Sequence, residues 1–364
     1  MSATSGWTLA DLVRDKEIVV CTGSGGVGKT TTAAVLALEG ARLGRKSVVV
    51  TIDPAKRLAD ALGLEGLSDS PTRIEGGWPG ELWALMLDTK STFDALVVKH
   101  SESQVQAEGI LANRFYRNIS GALSGTQEYM AMEKLYELHD EYDFELIVVD
   151  TPPTRNALDF LEAPKRLTRF LDHRLYRIVM APTRGFVKAV NVAAQAFLRT
   201  VSKVVGGDVV KDAIAFFQAF DGMEEGFKLR AQHVLRLLTH DQTAFVLVAA
   251  PHHDTVAEAT YFAQKLHEAD IPVRALIVNR MHPRFSDASP AAMHERAKTF
   301  TGTDLGGLYE NLSDFLMVAS KEEEHLAGLA ERVAPAPVVR VPYLRTDVHD
   351  LDGLAEVARH LFKE

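Results

Sequence analysis

IVVCTGSGGVGKTTT, residues 18–32, passes from strand to loop to helix within one short stretch. The β-branched run Ile18-Val19-Val20 predicts a buried strand, and a helix-compatible run begins at Lys29. Between them, Gly23-Ser24-Gly25-Gly26-Val27-Gly28-Lys29-Thr30 matches G-x-x-x-x-G-K-[ST], the phosphate-binding P-loop. Glycines let backbone N–H groups turn inward around an anion, and the helix that follows adds its positive N-terminal end. The spacing assigns phosphate contacts to Gly25, Gly26, Val27, Gly28, Lys29, Thr30 and Thr31. Lys29 supplies a point charge to the β- and γ-phosphates, and the Thr30 hydroxyl is placed to ligate Mg²⁺.

Outward from this stretch, strand-like runs recur at 18–22, 47–52, 82–87, 146–149, 244–249, 275–278 and 338–341, mostly separated by helical patterns. Several are apolar throughout, which predicts an α/β fold with a doubly wound, mostly parallel sheet covered on both faces. Ligands in such sheets sit at the carboxyl ends of the strands. The polar punctuation collects there: Asp53 after the second run, Asp150-Thr151-Pro152-Pro153-Thr154 after the fourth, Asn279-Arg280-Met281-His282 after the sixth and Pro342-Tyr343-Leu344-Arg345 after the seventh.

Two regions break the alternation. Residues 91–142 have room for two or three helices and no strand, and residues 164–242 lack a convincing strand. An all-helical subdomain built from these two pieces accounts for both better than long loops do. The P-loop core is then expected to be 1–90, 143–163 and 243–364, and the helical subdomain 91–142 and 164–242. Phe186, Val187, Val190, Ala193, Phe197, Val201, Val204 and Val205 recur at helical spacing, and Val209, Ala213, Phe216, Phe217 and Phe220 form a second stripe. Such stripes either pack against each other and the sheet or form a hydrophobic groove or dimer face.

The 364-residue chain carries a net charge of −9, which disfavours non-specific binding to nucleic acid or to anionic membrane. Its single cysteine, Cys21, excludes an internal disulfide and any multi-cysteine metal site and reads as a small core residue. The first residues lack an apolar signal core, and no stretch has the length of an uncharged membrane span, so a cytoplasmic protein is expected.

Phosphoryl transfer to water needs mostly positioning and charge compensation. Asp150 ends an apolar strand, as a carboxylate that reaches Mg²⁺ directly or through water should; capping the next helix is its alternative role. Asp53, also at a strand end and followed by Pro54, can orient or deprotonate a water in line with the γ-phosphate, or cap a helix. Thr151-Pro152-Pro153-Thr154 is a stiff turn whose shape can follow the γ-phosphate. Three residues after Asn279 stands His282 and not the acid a guanine site supplies. An Asn amide pairs well with adenine, so ATP is expected over GTP.

Taken in order, GSGGVGKTT, TIDPAKRLAD, SGTQEYMAMEKLYEL, ELIVVDTPPTRNALDFLEAP, PHHDTVAEATYFAQKL, IVNR and VPYLRTDV run along nearly the whole chain. Together they resemble the family of the arsenical-pump ATPase ArsA and the guided-entry, tail-anchored protein targeting ATPases. The resemblance implies a doubly wound ATPase with a helical subdomain, working as a nucleotide-sandwich dimer or as two pseudo-symmetric halves. With one P-loop, this chain would need a second copy or a related chain as partner. It also implies that Asp53 activates water, that Thr30 ligates Mg²⁺ with Asp150 in support, that Asn279 contacts adenine and that the loop from Pro342 to Asp347 closes over the base.

Departures matter as much. The family usually has a lysine where this chain has Ser24, reaching across the dimer to the partner's phosphates, and a glycine where it has Arg155, a candidate replacement charge. Paired zinc-binding cysteines and arsenite-binding cysteines are absent, which argues against arsenite export. The leading expectation is a dimeric ATPase whose helical subdomain opens and closes a hydrophobic surface for a protein segment or lipid-like client, with no nucleic acid and only indirect membrane contact. Its competitors are a MinD/ParA-like positioning ATPase, disfavoured by the acidic tail 351–364, and a nucleotide-holding regulatory subunit with little turnover.

Overall fold

A computed structural model describes residues 7–53, 55–119, 126–152, 207–219 and 223–362. Among them, β1 (Ile18–Thr22), β2 (Lys46–Thr51), β3 (Thr72–Ile74), β4 (Glu81–Met86), β5 (Leu146–Asp150), β6 (Thr243–Ala249), β7 (Val273–Met281) and β8 (Val338–Pro342) make one sheet. The strand order is β3-β4-β2-β5-β1-β6-β7-β8, and every pairing is parallel except β3 against β4. The seven expected strands are all present with slightly shifted ends. β3 is an addition: a three-residue edge strand whose Thr72 and Arg73 are exposed, too short and polar to stand out in the pattern.

Alternation along the strands explains the two-sided core. Ile18, Val20, Ile147, Val149, Phe245 and Leu247 face one layer of helices, while Val19, Cys21, Val148, Ala244, Val246 and Val248 face the other. Strands buried on both faces read as unbroken apolar runs, as these do. Cys21 is fully buried, as its place in the first strand predicts.

The helices before β5 are α1 (Leu9–Asp15), α2 (Lys29–Arg42), α3 (Arg57–Ala61), α4 (Thr89–His100), α5 (Gln104–Ala112), α6 (Arg114–Ile119) and α7 (Thr126–Asp140). Among the described residues from β4 to β5 there are four helices and no strand, where the pattern predicts two or three helices. Described residues between β5 and β6 form α8 (Gly207–Ala219) and α9 (Glu224–Thr239). Phe216 of the second apolar stripe is buried and stacks on Tyr116, ring centroids 5.9 Å apart, so this member is core. The first stripe, together with Pro54, Pro153, Thr154, Arg155 and Phe220, lies outside the described residues.

After β6 come α10 (His253–Glu268), α11 (Pro290–Thr299), the 30-residue α12 (Asp304–Val333) and α13 (Leu351–Leu361). α13 spends its apolar face on the core: Leu354, Val357, Ala358 and Leu361 are buried in the layer that holds α2. No helix among the described residues is long and apolar enough to cross a membrane.

Candidate active site

β1 lies between β5 and β6, so the chain leaves it in one direction to reach β2 and later crosses back over it to reach β6. A crevice opens at such a reversal, and the loop after β1 sits over it. Two glycines in that loop have no substitute. Gly23 has φ +151° and a Cβ there would stand 2.0 Å from the Val248 carbonyl oxygen. Gly28, which opens α2, has φ +95° and a Cβ would meet Asn279 Nδ2 at 2.2 Å. Backbone alone is admitted at both points, which leaves the amides free to line a cradle.

Lys29 is buried, and its Nζ donates to the Ser24 carbonyl at 2.7 Å. Burial lowers its pKa, with Asp150 and Asp53 pulling in the opposite direction. Ser24 is also buried, and its Oγ has no hydrogen-bond partner.

Asp150 is set by sheet register: it lies opposite Cys21 on β1 and Thr51 on β2. Its Oδ2 accepts hydrogen bonds from Thr30 Oγ1 at 2.7 Å and Thr51 Oγ1 at 2.8 Å, while Oδ1 is buried with no partner. Burial pushes this carboxyl above the ordinary carboxylate range, against the pull of the two threonines and Lys29. Thr151 hangs its hydroxyl on the Cys21 carbonyl at 2.8 Å, which holds the strand end against β1.

Asp53 follows β2 on the same edge. One carboxylate oxygen accepts the Ala55 amide at 3.0 Å, and the other faces Arg57 at 3.6 Å. Gly26, Gly28, Lys29, Thr30, Asp53 and Arg57 line a cleft of about 350 Å³, which Arg280 and Val348 also border. Three cations thus face a volume suited to a polyphosphate.

Asn279 leans on the loop: Nδ2 donates to the Val27 carbonyl at 3.0 Å, and Oδ1 accepts from the Arg280 amide at 3.0 Å. One N–H and one lone pair remain on the amide for a base. Pro342 ends β8, where the Tyr343 amide donates to the Met281 carbonyl at 2.9 Å and ties this loop to the end of β7. The chain then returns through Val348 to the phosphate cleft.

Sequence reasoning had no role for Thr51, Arg57 or Gln127. Thr51 becomes visible only through register. Arg57 is four residues from Asp53, about one helical turn, in a segment already marked as functional. Gln127, at the start of α7, donates Nε2 to the Ile52 carbonyl at 2.7 Å, beside Asp53.

A family profile described as anion-transporting ATPase, ArsA, matches residues 16–321, most of the chain and all of the cleft except Val348. The chain belongs to the anion-transporting ATPase family. Accordingly it is an ATPase, of a family that binds nucleotide. Similar proteins include "ATPase ASNA1 homolog" of Dictyostelium discoideum, 25% identical over 277 residues that cover 75% of each chain. "ATPase GET3" of Malassezia globosa is 26% identical over 280 residues, 75% of this chain and 76% of its own. "ATPase GET3C" of Arabidopsis thaliana is 27% identical over 302 residues, 79% of this chain and 73% of its own. In this anion-transporting ATPase, Ser24 of the P-loop is buried and tied through its carbonyl to Lys29.

Proposed function

We propose that this ATPase uses Mg²⁺-dependent ATP hydrolysis to move its helices α4–α9 relative to the sheet, as a homodimer or with a related chain. The observation that carries the reading is the pairing at Asp150. Two hydroxyls from different elements hold one carboxylate oxygen, and the other, buried and unpartnered, stands next to Lys29 and Thr30. A buried acceptor without a partner is costly, and a hard cation is the group that a carboxylate–hydroxyl donor set fits. Thr30 and Asp150 would hold Mg²⁺, which when bound neutralises charge on the β- and γ-phosphates.

Lys29 and the loop amides then position the phosphates, and the carboxylate of Asp53 orients a water and accepts its proton. Arg57 faces both that carboxylate and the cleft, so the occupant of the cleft decides which of the two anions it pairs with. Because Gln127 holds the Ile52 carbonyl, a shift at Asp53 is felt directly at α7.

Residues 1–90, 143–163 and 243–364 are the proposed ATPase core, and 91–142 with 164–242 the helical subdomain that engages a hydrophobic protein segment or lipid-like client. Asn279 and Pro342 flank the adenine, and the cytoplasm, which supplies ATP, is the proposed setting. Hydrogen exchange on the full chain in apo, ATP–Mg²⁺ and ADP–Mg²⁺ states tests the coupling. Protection in α7 and α9 should change with nucleotide; identical protection in all three states would overturn it.

A further inference from the structure

Near the ends where β1 and β5 begin, opposite the phosphate cleft, the last turn of α7 carries His139 and Asp140, and α9 brings His233 over them. One potential ligand atom from each lies within 4.8 Å of the others. His139 Nδ1 is 2.5 Å from Asp140 Oδ1, and His233 Nε2 is 3.5 Å from the same oxygen. The His233 Nε2 atom is buried and makes no hydrogen bond, although its ring is held edge-on by Tyr136 at 5.2 Å. Glu17, which precedes β1, brings Oε2 to 3.6 Å from the other nitrogen of His139.

We infer that His139, Asp140 and His233 form a zinc site, with Glu17 orienting His139 from behind. Two imidazoles and one carboxylate are a donor set suited to Zn²⁺, whereas Mg²⁺ and Ca²⁺ favour oxygen alone. Tetrahedral Zn²⁺ with bonds near 2.0–2.2 Å separates neighbouring ligand atoms by about 3.4 Å. The His233–Asp140 pair already has that spacing. The His139–Asp140 pair is at hydrogen-bond distance and opens on a small rotation of Asp140, whose carboxylate stays accessible at the helix end. A carboxylate or carbonyl on the second nitrogen of a ligating histidine fixes the ring and its tautomer, and Glu17 is placed for this.

The orphaned nitrogen is the second, independent sign. The Asp140 oxygen at 3.5 Å makes no hydrogen bond with this buried ring nitrogen, an unfavourable state that coordination would relieve. The bound ion would join the end of α7 to α9, two helices that otherwise meet through the Glu133–Arg230 ion pair and apolar contacts. Its role is structural, since the cluster is remote from the phosphate cleft.

The test is calorimetric titration of the chelator-treated full chain with Zn²⁺ alone, with Co²⁺ absorption as a report of imidazole ligation. Parallel measurements use His233→Gln and Asp140→Asn, each checked for folding by circular dichroism; both positions are partly exposed. Expected is one tight equivalent per chain in the parent protein, weakened roughly 100-fold or more in both variants. Parental affinity in either folded variant, or only the weak multi-site binding of scattered histidines in the parent, overturns the site.

Discussion

Thr30 on α2 and Asp150 at the end of β5 are 120 positions apart in the chain, yet Thr30 Oγ1 donates to Asp150 Oδ2 at 2.7 Å. The bond joins the P-loop helix to the strand beside it and leaves the second carboxylate oxygen unpartnered. Asp150→Asn keeps the shape and removes a charge whose burial is unfavourable. The expected result is a melting temperature equal to or above that of the parent, with Mg²⁺-dependent ATP affinity reduced at least tenfold. Calorimetry with and without Mg²⁺ checks it; unchanged Mg²⁺ dependence would remove Asp150 from the metal's surroundings.

Asp53→Asn removes the proposed proton acceptor but leaves a side chain that still accepts the Ala55 amide. Hydrolysis should fall by roughly 10²–10⁴-fold while ATP binding persists, trapping a loaded state. Single-turnover rates and nucleotide affinity on the same preparation separate the two effects, and a native hydrolysis rate would exclude Asp53 as the base.

Gly28→Ala places a side chain at φ +95° and drives its Cβ into Asn279. The backbone term alone costs about 1–2 kcal/mol. Truncating Asn279 to alanine in the same chain relieves the clash but not the backbone strain. The double variant should therefore regain part of the lost stability and still bind ATP more weakly than the parent. Full recovery in chemical denaturation would show that the collision, and not the left-handed conformation, dominates.

Glu133 on α7 and Arg230 on α9 are paired at 2.8 Å with side chains 2% and 11% exposed. Tyr129 also donates to Glu133, and the guanidinium covers the Phe227 ring. Arg230→Ala strands the carboxylate and should cost about 3–5 kcal/mol in urea unfolding. Glu133→Gln retains hydrogen bonding and should cost clearly less; equal losses would mean that packing, not charge, sets the energy.

His100 supplies the pH dependence. Burial first, then Arg230 and Lys99, lower its pKa from 6.5 to about 4, with Glu141 opposing. A depressed histidine takes up its proton more readily when unfolded, so its contribution is intact above pH 6.5 and lost as pH falls toward 4. Thermal melts across that window should decline less steeply for His100→Gln than for the parent. Superimposable slopes would count against it.

The P-loop and the strand-end acids were legible because both depend on local order: a glycine spacing, and apolar runs that end in a carboxylate. Contacts that depend on which strands become neighbours were not. Thr51 serves Asp150 only because β2 is the neighbour of β5, and nothing in the string Thr51-Ile52-Asp53 announces it. Asn279 shows the same limit. Its residue type suggested a base contact, whereas the fold also gives it a hold on the Val27 carbonyl. β3 escaped notice because three residues, two of them exposed, carry too little periodicity. His139, Asp140 and His233 come together only through the packing of α7 on α9, which sequence spacing does not encode.

The fifteen residues of α7 make a rod of about 22 Å. One tip, through Gln127, grips the chain next to Asp53, and the far tip bears His139 and Asp140. Such a rod scarcely shortens under load, so a displacement imposed at the first tip arrives at the second almost whole. An ion that ties the far tip to α9 would raise the work needed to tilt the rod.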